Sequence, residues 1–336
     1  MTAPHASRSP HAPLALFAEY NDLDPQPARD LLAEYGIETE LLEVNAAGEV
    51  AAHQRRAFAI IGGYNTIDRP LIEQLPDLTI IAASSNGTNM IDTAAAAERG
   101  IWVTNLGTAA TEEVATHTLT LTLATVRELT EMTRVVAEGD WTDELETVPR
   151  KLSELSLGLI GYGKIGALFA RLAAPLFGSI IAYDPFRPPA DGVATAATLD
   201  EVLERADVVS LHLPLTPETD AMIDAATIAR MKDRSVLINV SRGELVDLDA
   251  CVAALDSGKL SAIGFDVLVG EPPVADHPLR THPRAILTPH AAYLSETSLR
   301  RYETDPARYI AEVFTVGAPS ESIVISPASA RNGKTA

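Results

Sequence analysis

Leu157-Gly158-Leu159-Ile160-Gly161-Tyr162-Gly163-Lys164-Ile165-Gly166 is the stretch on which the fold turns. A short apolar run ends in a complete G-x-G-x-x-G, and a helix-length segment follows as far as Phe177-Gly178. Each glycine has its own physical reason. Gly161 permits a tight strand-to-helix turn, Gly163 lets a diphosphate approach the backbone, and Gly166 allows close helix–strand packing. The N-terminus of the following helix offers free N–H groups and a positive dipole end to phosphates. Gly161, Gly163, Lys164, Ile165 and Gly166 are therefore candidate cofactor-binding residues. The next strand-like run, Ile180–Tyr183, leads to Asp184, where a carboxylate accepts hydrogen bonds from adenosine ribose hydroxyls. A carboxylate there repels a 2′-phosphate, which favours NAD over NADP. The plainer alternative is an aspartate that only caps the turn into Pro185, and Arg187 is a mild counter-signal.

Outward from this loop, Val208–Leu211, Val236–Val240, Ala262–Phe265 and Ala285–Leu287 extend the series to six short apolar runs. Such runs fit strands buried on both faces of a doubly wound parallel sheet. Upstream, Leu14–Ala18, Phe58–Ile61, Thr79–Ala83 and Trp102–Thr104 alternate with helix-length segments and predict a second, smaller α/β domain. One of those helices runs from about Pro27 to Tyr35 and closes at Gly36. The fold class is thus α/β, with two parallel-sheet domains. Between them, the spacing of Val114, Leu121, Val126, Leu129 and Met132 predicts one long helix, capped by Thr111 and ending at Gly139. Ser295-Glu296 predicts a capped helix as far as about Thr315. The small, polar stretch after Ser326 is expected to be disordered.

Composition narrows the function classes. A formal net charge of −20 argues against nucleic acid or an anionic membrane as partner. The single cysteine, Cys251, excludes an internal disulfide framework and suits a reducing compartment. No apolar run reaches the length of a membrane span. Met1–Pro13 lacks the apolar core of a secretion signal; its shortage of acids is transit-peptide-like, but a frayed start is the expectation. A cytoplasmic location follows as the default. No metal-ligand spacing is present.

Three segments place polar groups just beyond strands, where ligands sit in open α/β sheets. They are Asn239-Val240-Ser241-Arg242-Gly243, Phe265-Asp266-Val267 continuing to Gly270-Glu271-Pro272, and Thr288-Pro289-His290. Singly, Arg242 reads as a surface ion pair, Glu271 as a solvated acid and His290 as a loop histidine. Together they form the set that reduction of a 2-keto acid requires. An arginine holds the substrate carboxylate or carbonyl, a histidine donates the proton, and a carboxylate keeps that histidine protonated.

With these segments, the chain resembles the D-isomer-specific 2-hydroxyacid dehydrogenase family, which includes hydroxypyruvate/glyoxylate reductases and phosphoglycerate dehydrogenases. The resemblance also takes in Ala206–Thr216, Asn86-Gly87-Thr88-Asn89-Met90-Ile91-Asp92 and Val103-Thr104-Asn105, in order over about residues 50 to 300. It implies a Rossmann NAD-binding domain (108–294) inserted into a flavodoxin-like substrate domain (1–107 with 295–336). It further implies Arg242, Glu271 and His290 as the catalytic trio, and Asp266 at the nicotinamide amide. Leu213 and Val240 would line the cofactor pocket, and Asn86-Gly87 would bind the substrate carboxylate. A homodimer through the glycine-loop domain is implied as well. Three departures stand out: Ser85 for a usual glycine, Thr116 for a common glutamate, and Gly270 for a frequent second acid. Gly62-Gly63-Tyr64 stands where phosphoglycerate dehydrogenases carry a phosphate-binding arginine, so hydroxypyruvate or glyoxylate is the expected substrate. The alternatives are phosphoglycerate dehydrogenase and a non-catalytic, NAD-sensing module similar to corepressors of this fold. Formate dehydrogenases fit less well, because they carry glutamine where Glu271 stands.

Overall fold

A computed structural model of the chain describes residues 12–19, 23–145 and 147–327. The readings of a frayed start and a disordered tail therefore fall, apart from Ala12, Pro13 and Pro327, outside the described residues. Two compact units form, Met1–Ala109 with Ser295–Ala336, and Ala110–Leu294.

The first unit begins with β1 (Leu14–Phe17), α1 (Gln26–Glu34), β2 (Glu38–Leu41), β3 (Ala59–Gly62) and α2 (Arg69–Glu73). It continues with β4 (Ile80–Ala83), α3 (Thr93–Glu98) and β5 (Trp102–Thr104). The second unit carries α4 (Thr111–Val126), α5 (Leu129–Glu138), β6 (Ser156–Ile160), α6 (Lys164–Ala173), β7 (Ser179–Tyr183) and β8 (Thr195–Ala196). After these come α7 (Leu199–Arg205), β9 (Val208–Leu211), α8 (Ala225–Arg230), β10 (Ser235–Asn239), α9 (Leu248–Ser257), β11 (Leu260–Phe265) and β12 (Ala285–Leu287). The chain then returns to the first unit with α10 (Glu296–Val316) and β13 (Ile323–Ile325).

The first sheet has the order β13-β5-β4-β3-β1-β2 and the second β12-β11-β10-β9-β6-β7-β8. All pairings are parallel except β13 with β5. Alternation explains why the central strands are mostly apolar at successive positions. In β1, Leu14 and Leu16 enter one core, whereas Ala15 and Phe17 enter another on the opposite face with Leu32 and Tyr309. In the second sheet, Val208 faces one core and Val209 and Leu211 the other. The strand order reverses at β6, flanked by β7 and β9. The carboxyl edge beside such a switch point is where an open sheet takes its ligand.

Three features differ from the expectations. The long helix is two helices: Glu128 adopts a left-handed φ of 54°, its N–H turns to the Thr125 carbonyl, and α5 restarts on the Glu128 carbonyl. Apolar spacing runs straight through this break and so conceals it. Thr111 is not a cap either, because the helix starts from Ala110 and draws no side-chain cap. Finally, β2 (Glu-Thr-Glu-Leu) is a polar edge strand with no apolar alternation to betray it. Ser295 does cap α10, accepting from the Ser298 N–H, and Gly317 closes that helix at φ 86°.

Candidate active site

The glycine loop is built from close backbone approaches. Gly161 has φ +99°, and a Cβ there would lie 2.4 Å from the His212 carbonyl oxygen. A Cβ on Gly166 would lie 2.5 Å from the Gly161 oxygen, so this glycine lets α6 sit against the loop. Gly163 is different: a Cβ on it meets nothing within 4 Å. The chain's own packing does not require glycine there, and the missing side chain leaves the space over the loop open. Gly163 is also the N-cap of α6, and no side chain caps that end, which leaves the first-turn N–H groups of Lys164 and Ile165 available to an anion.

Asp184 follows β7. One carboxylate oxygen accepts from the Tyr162 N–H at 2.8 Å, the other from Phe186 N–H (2.9 Å) and Arg187 N–H (2.8 Å). Burial alone would raise its pKa, but these three N–H donors outweigh it and hold the pKa below the ordinary value. The residue therefore caps its own turn and presents a fixed negative charge beside the loop. An adenine dinucleotide fits this set: open space over Gly163, an uncapped helix end and an ionised ribose acceptor. Leu213 and Val240 are partly buried against the adjoining cores.

Beyond β10, β11 and β12 the three polar segments come together. Asn239, wholly buried at the end of β10, donates from Nδ2 to the Arg242 carbonyl (2.8 Å) and accepts from the Ser241 N–H (3.0 Å). Arg242 leaves this turn extended, and the following Gly243 has no room for a side chain: a Cβ would lie 2.1 Å from the Leu268 carbonyl carbon. The loop carrying Arg242 is thus pressed against the one carrying Glu271. The Leu268 N–H donates to Glu271 Oε1 at 2.7 Å, and Glu271 Oε2 lies 2.6 Å from His290 Nδ1.

Asp266 organises the third segment. Its carboxylate is buried and accepts from the Thr288 hydroxyl (2.5 Å), Ala291 N–H (2.9 Å) and Ala292 N–H (2.9 Å), while its carbonyl accepts from the His290 N–H (2.8 Å). The turn bearing His290, at φ 53°, is gathered around this one side chain. His117 of α4 lies 3.0 Å from the same Thr288 hydroxyl.

The electrostatics favour a charged pair. The hydrogen bond to Glu271 raises the His290 pKa above its usual value against the opposing effect of burial. For Glu271, burial pushes upward, but His290, the Leu268 N–H and the nearby Arg242 charge bring the pKa below normal. His212 contrasts with this. Its Nδ1 is buried without a partner, and burial pushes its pKa down to about 3, so it stays neutral.

In the first unit, Asn86-Gly87 follows β4. The Ser85 hydroxyl donates to the Gly87 carbonyl (2.7 Å), and Asn105 Nδ2 donates to the Asn86 carbonyl (2.9 Å). Ser85, one of the three departures, thereby fastens the turn. Gly270 adopts φ +68°, a conformation that an acidic side chain there would strain. Thr116 donates back to the Glu112 and Glu113 carbonyls of its own helix. Sequence reasoning assigned no part to Asn239 or Gly243. A polar residue ending the apolar run Val236–Ile238 was the available signal for Asn239. Among the described residues, no cluster of His, Cys, Asp or Glu could hold a metal ion, and no helix is long and apolar enough to cross a membrane.

Comparison with known proteins places this geometry. The family model for the D-isomer specific 2-hydroxyacid dehydrogenase NAD binding domain matches residues 119–292. Glycerate dehydrogenase of Methylorubrum extorquens is 35% identical over 75% of this chain and 81% of its own. Hydroxypyruvate reductase of Blautia hydrogenotrophica is 34% identical over 75% of this chain and 80% of its own. The solved structure of the TT0316 protein from Thermus thermophilus covers 93% of this chain and 100% of its own, with 33% identity and a TM-score of 0.80. The chain belongs to the D-isomer-specific 2-hydroxyacid dehydrogenases. It is an NAD-dependent oxidoreductase of 2-hydroxy and 2-keto acids.

Proposed function

We propose that the chain reduces hydroxypyruvate or glyoxylate with NADH to the corresponding 2-hydroxy acid, of the D configuration where C2 is a stereocentre. The observation that carries this reading is the 2.6 Å pairing of His290 Nδ1 with Glu271 Oε2, on a loop packed against the one bearing Arg242.

The bound nicotinamide supplies the hydride; this chain's residues manage the charge. With Nδ1 committed to Glu271, the proton available to the substrate is the one on His290 Nε2. It passes to the carbonyl oxygen as negative charge develops there. The neutral imidazole that results keeps its Nδ1–H on Glu271, which preserves the orientation of the ring and favours reprotonation. Arg242 clamps the substrate carboxylate and polarises the carbonyl. Backbone N–H groups at Asn86-Gly87 take the remaining carboxylate contacts. Asp266 would hold the nicotinamide amide of a bound cofactor, and its carboxylate keeps the His290 turn in place. Ala110–Leu294 serves as the dinucleotide domain, with Gly161, Gly163, Lys164, Ile165, Gly166, Asp184, Leu213 and Val240 around the cofactor. The rest of the chain is the substrate domain.

A homodimer in the cytoplasm completes the reading, supported by the family resemblance and by a lone, buried cysteine. The test is to follow the near-ultraviolet absorbance of NADH with hydroxypyruvate, glyoxylate and 3-phosphohydroxypyruvate. Turnover of the first two, faster than of the third, is expected. NADH binding without turnover would favour a sensing module, and a preference for the phosphorylated acid would favour a phosphoglycerate dehydrogenase.

A further inference from the structure

The carboxyl edge of the first sheet holds an arrangement that no part of the mechanism uses. Three successive backbone N–H groups, those of Gly63, Tyr64 and Asn65, converge on the Glu19 carboxylate at 2.6, 2.7 and 3.3 Å. The Asn65 side chain donates to the Ala18 carbonyl at 3.1 Å and ties the same loop to β1. Consecutive N–H groups pointing into one concavity form a general anion site. Here the chain fills it with its own side chain.

A shallow hollow, open to solvent, lies at this point and is lined in part by Glu19, Asp24, Ser84, Tyr302 and Glu303. Three of these are acids, and among the described residues no lysine or arginine lines the hollow. It also adjoins the candidate carboxylate turn. The Ser84 N–H donates to the Gly62 carbonyl (2.8 Å), so Ser85-Asn86-Gly87 begins one residue from the hollow's wall. A short keto acid whose carboxylate rested on that turn would have its far end close to this edge.

We propose that Glu19 is a specificity-determining residue: it occupies the backbone anion nest from within and restricts the substrate to 2-keto acids whose far end carries no negative charge. This rests on the keto acid reading given above. A phosphate or second carboxylate entering the hollow meets Glu19, Asp24 and Glu303 and finds the N–H donors already taken. A hydroxymethyl group or a hydrogen meets no such repulsion.

The test measures kcat/KM for 3-phosphohydroxypyruvate relative to hydroxypyruvate in the parent, Glu19→Gln and Glu303→Gln enzymes. Glu19→Gln keeps an acceptor oxygen for the loop but removes the charge. Its ratio should rise about tenfold, the size of one charge repulsion over roughly 10 Å at intermediate dielectric. For Glu303→Gln, at the wall rather than in the nest, the rise should be about threefold on the same grounds. If Glu19→Gln does not fold, Glu303→Gln decides alone. A parent enzyme that reduces hydroxypyruvate, with ratios unchanged in the folded variants, overturns the role of Glu19 and leaves the proposed function standing. A parent that reduces neither hydroxypyruvate nor glyoxylate overturns the proposed function, and this inference with it.

Discussion

His290 Nδ1 and Glu271 Oε2 stand 2.6 Å apart, although neither residue belongs to a helix or a strand. Backbone contacts hold both loops instead. Gly243 admits the Leu268 main chain, the Leu268 N–H fixes the other Glu271 oxygen, and Asp266 gathers residues 288–292. The placing of the pair therefore depends on Gly243, Leu268 and Asp266 as well as on its own two residues.

The pair sets the pH dependence. If His290 is the proton donor proposed above, reduction requires its protonated form, and Glu271 keeps the proton on it to higher pH. In Glu271→Gln the imidazole loses that support, so the fall in kcat/KM for reduction should move to lower pH, with NADH affinity little changed. Oxidation of the hydroxy acid requires the neutral ring, and its rise should move to lower pH as well. Stability follows by linkage. The lowered Glu271 pKa stabilises the fold above its ordinary 4.5, a contribution lost as pH falls through the folded value. The raised His290 pKa stabilises it below 6.5, a contribution lost as pH rises through the folded value. The melting-temperature deficit of Glu271→Gln should accordingly be largest between about pH 4.5 and 6.5.

Two glycines should fail in different ways. Gly163→Ala meets empty space, so thermal unfolding without cofactor should be unchanged while NADH binding, read by fluorescence titration, weakens about tenfold or more as the diphosphate is displaced. Gly243→Ala drives a methyl into the Leu268 backbone. It should destabilise the fold by about 2–3 kcal/mol in urea unfolding and lower kcat through the shifted Arg242 loop.

Asp184 should govern the choice of cofactor. Asp184→Ser removes the charge that repels a 2′-phosphate, and the NADPH-to-NADH ratio of kcat/KM should rise about tenfold, the scale of one lost charge repulsion. Because the carboxylate also accepts three backbone N–H bonds, the variant should melt at a lower temperature than the parent. Equal use of both cofactors by the unmodified enzyme would refute the assignment.

These expectations show which parts of the molecule were legible in the sequence. Short apolar runs mark parallel strands that pack on both faces, so the buried β6 and β9 and the half-buried edge strand β12 could be read almost to the residue. The glycine loop was legible because steric need at Gly161 and Gly166 leaves only one residue type. The left-handed break at Glu128 and the polar edge strand β2 were not, since neither disturbs hydrophobic spacing. At the site, Arg242, Glu271 and His290 could be picked out as polar groups after strands. The clamp formed by Asp266 on Thr288, Ala291 and Ala292 depends on main-chain geometry that no residue pattern encodes. Glu19 lies 44 residues from Gly63 in the chain, and nothing local marks the two as partners.

His290→Ala provides the most direct measurement, with hydroxypyruvate reduction followed across about pH 5 to 8, the range over which histidine titrates. Its kcat should fall about a hundredfold or more, the usual worth of a positioned general acid, with NADH binding retained. A variant that keeps near-parental kcat across that range would contradict the assignment of His290 as proton donor.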